Sequence, residues 1–162
     1  MSQQDYYPDW LVFISVLAAF VLTLIQLPEF LAALRPALVL LIAIYWTLAM
    51  PQYFGLFTAW FLGLTMDVLN GSLLGQHAIA ILLPCYIASR LRETLHMFPL
   101  WQQCITLIPL VALYEFILFW IDGISHRDTE THWRWIQILS SAAFWSVLFF
   151  LLTPFRTVAA RH

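Results

Sequence analysis

The sequence predicts an all-α integral membrane protein with six transmembrane helices in one domain, 1–162. Three observations lead there. Hydrophobic residues make up 62% of the 162 residues and charged residues only 10%, against about 25% charged in a typical soluble domain. The apolar residues gather into runs near the roughly 20 residues that cross a hydrocarbon core, and Pro or Gly punctuates the runs. Finally, a row at every fourth position holds Gly55, Ala59, Gly63, Asp67, Gly71 and Gly75. On a helix that spacing lines one face, up to the break at Asn70-Gly71. Small residues let a neighbouring backbone approach closely in lipid.

The first span is predicted at 10–27 and ends at Pro28. MSQQDYYPDW before it carries no basic run, and no small-residue cleavage site follows it, so a retained helix is expected. The second span covers 36–50, with Pro36 in its first turn and Pro51 closing it. The third covers 52–69 and ends at Asn70-Gly71. These two share an uncharged stretch that is short for two full crossings; the turn MPQY at 50–53 favours two helices over one tilted helix with a re-entrant piece. The fourth covers 73–89 with Pro84 inside, the fifth 99–121 with Pro109 inside, and the sixth 135–153, closed by Pro154. The small-residue row makes the third span the expected packing centre. Trp10, Trp101, Trp120, Trp133 and Trp135 fall at span ends, where Trp favours the headgroup level. Trp46, Trp60 and Trp145 fall inside spans and are expected to pack.

Six spans place both termini on one side. With that side cytoplasmic, Arg90, Arg92, Arg156 and Arg161 lie inside and Arg35, Arg127 and Arg134 outside. The polar residues then collect in the outer half. Asp67 is about one turn from the outer end of its span, Glu115 lies in the outer half of the fifth, and Gln26 and His77 lie at the same level. So do Asn70, Gln76, Asp122 and Gln137, which read either as wet helix ends or as part of an outward-opening ligand pocket or partner-binding surface. An intramembrane carboxylate is costly facing lipid, so Asp67 should face protein or an outer cavity. Its expected partners are His77, Glu115 through a shared proton, or a group on a docked helix. Two readings stand for Asp67 and Glu115: a functional site, or internal bonds that hold helices together.

Several function classes lack their residues. The chain has no HExxH, GxSxG or P-loop, so no catalytic residue and no enzyme is expected. No cofactor is expected. His126 and His132 flank Asp128 and Glu130 in the outer loop, but such loops usually hold no metal. Cys85 and Cys104 lack a CxxC-type spacing and read as free, buried thiols. A net charge of −2 offers no basic surface for nucleic acid.

Three blocks carry a family resemblance: RPALVLLIAIYWTLAMP at 35–51, GLTMDVLNGSLLG at 63–75 and LWQQ at 100–103. Together they resemble the rod shape-determining MreD family over about 35–123. The first span and the outer loop are similar to it only in hydropathy. The resemblance implies a bacterial inner-membrane subunit of the cell-wall elongation machinery, not known as an enzyme. It implies work beside the bitopic protein MreC, the MreB filament, and RodA with its transpeptidase partner, among membrane lipids. It also implies a fold similar to the six-helix substrate-binding subunit of energy-coupling-factor vitamin transporters. The expected role is to dock the transmembrane helix of an MreC-like partner, with the small-residue row serving internal packing or that partner. The main alternative is a vitamin-binding transporter subunit. Such subunits carry an AxxxA-type motif in their first helix, whereas here Ala18 and Ala19 are adjacent. A lipid-flipping protein using the outer polar layer is a third reading.

Overall fold

The computed structural model describes residues 9–25, 36–125 and 131–156, and among them there are seven helices and no strand. They are α1 (Asp9–Leu24), α2 (Leu38–Ala49), α3 (Leu56–Asn70), α4 (Gln76–Arg90), α5 (Arg92–Met97), α6 (Leu100–Ile124) and α7 (Thr131–Arg156). Local chemistry sets their ends. Met50 precedes a proline, which disfavours helical backbone, and it takes φ −133°, ψ 64°. Gly71 adopts the left-handed conformation (φ 60°, ψ 30°). It closes α3 in a Schellman motif: Ser72 N–H donates to the Asp67 carbonyl at 3.0 Å and Gly71 N–H to that of Val68 at 3.4 Å. Phe98, also before a proline, is extended and ends α5.

Several predicted boundaries move. Residues 51–54 form a turn and Gly55 is extended, so α3 starts four residues later than expected, at Leu56. Gly75 sits at φ 100°, which keeps 73–75 out of the next helix and starts α4 at Gln76. α5 was not expected at all. α6 runs three residues further, to Ile124, and α7 reaches back to Thr131, inside the predicted outer loop. α4 and α6 carry through Pro84 and Pro109, and α7 runs past Pro154, which was expected to close it, to Arg156.

Contacts at the helix ends give the directions. Asp67 near the end of α3 meets the start of α4, and Gln76 at that start meets Asp122 near the end of α6. At the opposite end, Arg92 after α4 meets Leu48 near the end of α2. Ser15 in the first half of α1 meets Trp46 in the last turn of α2. Thus α1, α3 and α6 run one way and α2, α4 and α7 the other, giving an Asp67 end and an Arg92 end.

The packing centre is α2, not the third predicted span. Every residue from Leu38 to Leu48 is buried, and α2 packs on α1, α3, α4 and α7. α3 buries only Ala59, Leu62, Gly63, Met66 and Asp67, and turns Phe57 outward at 75% exposure. A helix that is apolar all round suits a site enclosed on all sides. At 12 residues α2 is only about 18 Å long, and neighbouring chain satisfies groups at both of its ends. Ser141 of α7 accepts the Ala37 N–H at 2.9 Å, and Arg92 Nε donates to the Leu48 carbonyl at 2.9 Å. Trp46 and Trp145 pack inside as expected. Trp60 does not; it is 37% exposed, with its ring 5.7 Å from that of Phe57.

Candidate functional site

α4 has no capping side chain of its own, and the first N–H groups of a helix need acceptors. Asp67 supplies them from the preceding helix. Its Oδ2 accepts the Gly75 N–H at 2.8 Å, and its Oδ1 accepts the His77 N–H at 2.9 Å. Oδ1 also accepts the Ser72 hydroxyl at 2.8 Å and lies 2.8 Å from His77 Nδ1. The negative charge rests on the positive end of the α4 dipole. Only 1% of Asp67 is exposed, and the tight turn 71–75 brings all these donors to it. Among the described residues none of its hydrogen bonds goes to Glu115.

The rest of the polar layer divides. Gln76 and Asp122 are not the wet helix ends of one reading: they are buried at 5% and 7% exposure, with Gln76 Nε2 donating to Asp122 Oδ1 at 2.7 Å. Spacing held the signal: Asp122 is seven residues after Glu115, and both lie on the buried face of α6 with Leu107, Val111 and Leu118. Glu115 is 6% exposed there. Gln26 lies outside the described residues, as do the acids and histidine of the 126–130 loop; among the described residues no cluster fit for a metal occurs. Cys85 and Cys104 are free thiols.

The small-residue row does not act as one surface. A Cβ on Gly63 would meet backbone of α4, with Ala78 N at 2.6 Å and His77 O at 2.7 Å, so Gly63 sets the α3–α4 contact. Ala59 is buried. Gly55, Gly71 and Gly75 have open space at the Cβ position; the last two serve backbone conformation at positive φ. Away from this layer, at the Arg92 end, α1 and α3 border a half-open apolar groove of about 290 Å³, lined among others by Val12, Val16, Met50, Phe54, Thr58 and Leu62.

Taken together, Asp67 links the end of α3 to the start of α4, Gln76 links α4 to Asp122 of α6, and the Asp67–Ser72–His77 set is an interhelical cap. It is not arranged as a nucleophile with its base, because Ser72 and Asp67 both approach the same ring nitrogen, Nδ1 of His77. A family model for the rod shape-determining protein MreD matches residues 5–155. The chain belongs to the MreD family. The rod shape-determining protein MreD of Haemophilus influenzae is 29% identical over 162 residues, covering 99% of each chain. No solved structure matches the chain. Membership makes this a rod shape-determining protein of the machinery for cell shape and wall synthesis, and the MreD blocks lie on the elements just described. The 35–51 block builds the buried α2, and the 63–75 block builds the α3–α4 turn around Asp67. Neither comparison supports the vitamin-transporter alternative.

Proposed function

We propose that the chain is a multi-pass protein of the bacterial inner membrane, with six spans and both termini cytoplasmic. In this reading its six longer helices share the architecture of the substrate-binding subunit of energy-coupling-factor transporters. It acts without catalysis, docking the transmembrane helix of an MreC-like bitopic partner so that the partner's periplasmic domain engages the wall-synthesis enzymes. MreB and RodA with its transpeptidase join through the same complex.

The observation that carries this reading is the outward face. Phe13 and Leu17 on α1, Phe57 and Phe61 on α3, Phe116 and Trp120 on α6, and Phe150 and Leu151 on α7 are all more than half exposed. Monomers in water rarely sustain contiguous apolar patches beyond a few hundred Å²; in hydrocarbon such a face is ordinary. Two helices, Leu100–Ile124 and Trp135–Leu152, are long and apolar enough to cross a membrane unaided. The polar groups that would be costly in lipid are turned inward and bonded. With the row around Gly63 used inside the bundle, what remains for a partner is the apolar exterior, where helices associate through packing and a few polar contacts.

Two measurements test it. Membranes washed in alkaline carbonate should retain the chain; release into the supernatant overturns the membrane placement. The tagged chain should recover a co-expressed MreC-like partner from detergent, and lose it when the partner's transmembrane helix is deleted. Equal recovery of the partner's periplasmic domain alone overturns docking through the helix.

A further inference from the structure

Two features at the Arg92 end lie apart from the interhelical cap and keep groups to spare. The first is the groove between α1 and α3. Its lining is apolar except for Tyr53 and Thr58, whose hydroxyls have no hydrogen-bond partner among the described residues. The second is Arg92. Its Nε donates to the Leu48 carbonyl at 2.9 Å, at the end of α2, where the helix dipole favours a cation. That bond uses one of the five guanidinium donors. The remaining Nη groups have no partner among the described residues. Arg90 Nε and Nη2 lie 3.3 and 3.1 Å from the Tyr86 hydroxyl. The one ion pair among the described residues is His77–Asp67, so neither arginine is neutralised there, and Glu93 beside them is exposed and unpaired. Leu48 is two residues before Met50, which lines the groove, so the anchored guanidinium and the groove lie at the same end of α2.

We propose that this end of the protein binds one anionic phospholipid, its phosphate on the Nη fork of Arg92 and one acyl chain in the α1–α3 groove. A guanidinium already fixed through Nε presents its fork with little further ordering, and that fork matches phosphate oxygens in pairs. Two arginines without carboxylate partners favour a headgroup of net negative charge over a zwitterionic one. An apolar groove open to hydrocarbon offers water only the Tyr53 and Thr58 hydroxyls, and its remaining lining suits a chain from the bilayer. The inference rests on the membrane placement proposed above, which the carbonate wash tests separately.

The experiment uses the full chain in mild detergent, titrated with phosphatidylglycerol or phosphatidylcholine and read by native mass spectrometry. One phosphatidylglycerol should bind with a preference of roughly fivefold or more, the scale of one basic residue at an anionic surface. Arg92→Gln should bring its binding down to the phosphatidylcholine level. Val16→Trp should fill the groove without touching Arg92 and weaken both lipids, which keeps the test alive if Arg92→Gln fails to fold. Equal binding of the two lipids by the wild type overturns the proposal. So does a retained preference in Arg92→Gln, or unchanged binding in Val16→Trp. Loss of the lipid on co-expression of the bitopic partner, with crosslinks from Val16→Cys to that partner's helix, would give the groove to the helix and overturn it as well.

Discussion

Asp67 ends one helix and starts another. Its carbonyl closes the Schellman turn of α3 while its carboxylate holds two N–H groups at the start of α4. Asp67→Leu removes all the side-chain acceptors and strands those N–H groups, each at about 1–3 kcal/mol when buried. Asp67→Asn keeps one oxygen, enough for the Oδ1 donors, but turns an NH₂ toward the Gly75 N–H. Thermal unfolding in detergent should therefore rank wild type above Asn and Asn above Leu, with Leu several kcal/mol down. A Leu variant as stable as wild type would mean the cap contributes nothing. That Asp67 avoids lipid was legible from its charge amid an apolar stretch. That it caps the next helix was not, because the turn geometry at 71–75 decides it. Ser72 in particular carried no signal beyond being a turn residue.

At the scale of elements, a single row of glycines serves different tasks, and substitution separates them. At Gly63 the added methyl of Ala meets α4 backbone, which cannot rotate away as a side chain can. Helix propensity favours Ala over Gly by about 1 kcal/mol, while overpacking typically costs about 1–3 kcal/mol; with backbone on the far side, the loss should win. Gly63→Ala should lower the unfolding temperature, and Gly63→Leu should abolish accumulation. Gly55→Ala, with open space and φ −86°, should be nearly neutral. Gly71→Ala, at φ 60°, should lose about 1–2 kcal/mol to left-handed strain. A uniform response at all of these positions would contradict the assignment. Ser141→Ala tests the centre in the same way: it removes the acceptor for the Ala37 N–H, and a lost cap typically costs about 0.5–2 kcal/mol. The six longer helices were legible from Pro and Gly punctuation, and the short α5 was not. The identity of the central one was not, since α2 is apolar on every side and its sequence has no face to distinguish protein from lipid. The regular row in α3 marked a close contact with one neighbour, which is a different property from being the hub.

The whole molecule has two ends, and its contacts fix which groups share each. Asp67, Gln76, Asp122, Ala37 and Ser141 are linked toward one end, and Arg92 and Leu48 at the other. Orientation in the membrane is therefore one binary choice for the entire bundle. Arginine counts alone decide it by a narrow margin, because the Arg127 and Arg134 side of the balance nearly matches Arg90, Arg92, Arg156 and Arg161. Two labels separated in sequence by three of the proposed spans are enough to decide it by experiment. Leu74, in the turn between α3 and α4, is 77% exposed, and Arg161 stands near the C-terminus. In a background where Cys85 and Cys104 are replaced by Ser, an impermeant maleimide should label Leu74→Cys in intact cells. It should label Arg161→Cys only after the inner membrane is opened. The reverse pattern would turn the molecule over while leaving the bundle intact, and would move the Arg92 groove to the outer leaflet. Labelling of both sites from outside would instead contradict the proposed six spans, because three of them separate Leu74 from Arg161 and would leave the two on opposite sides.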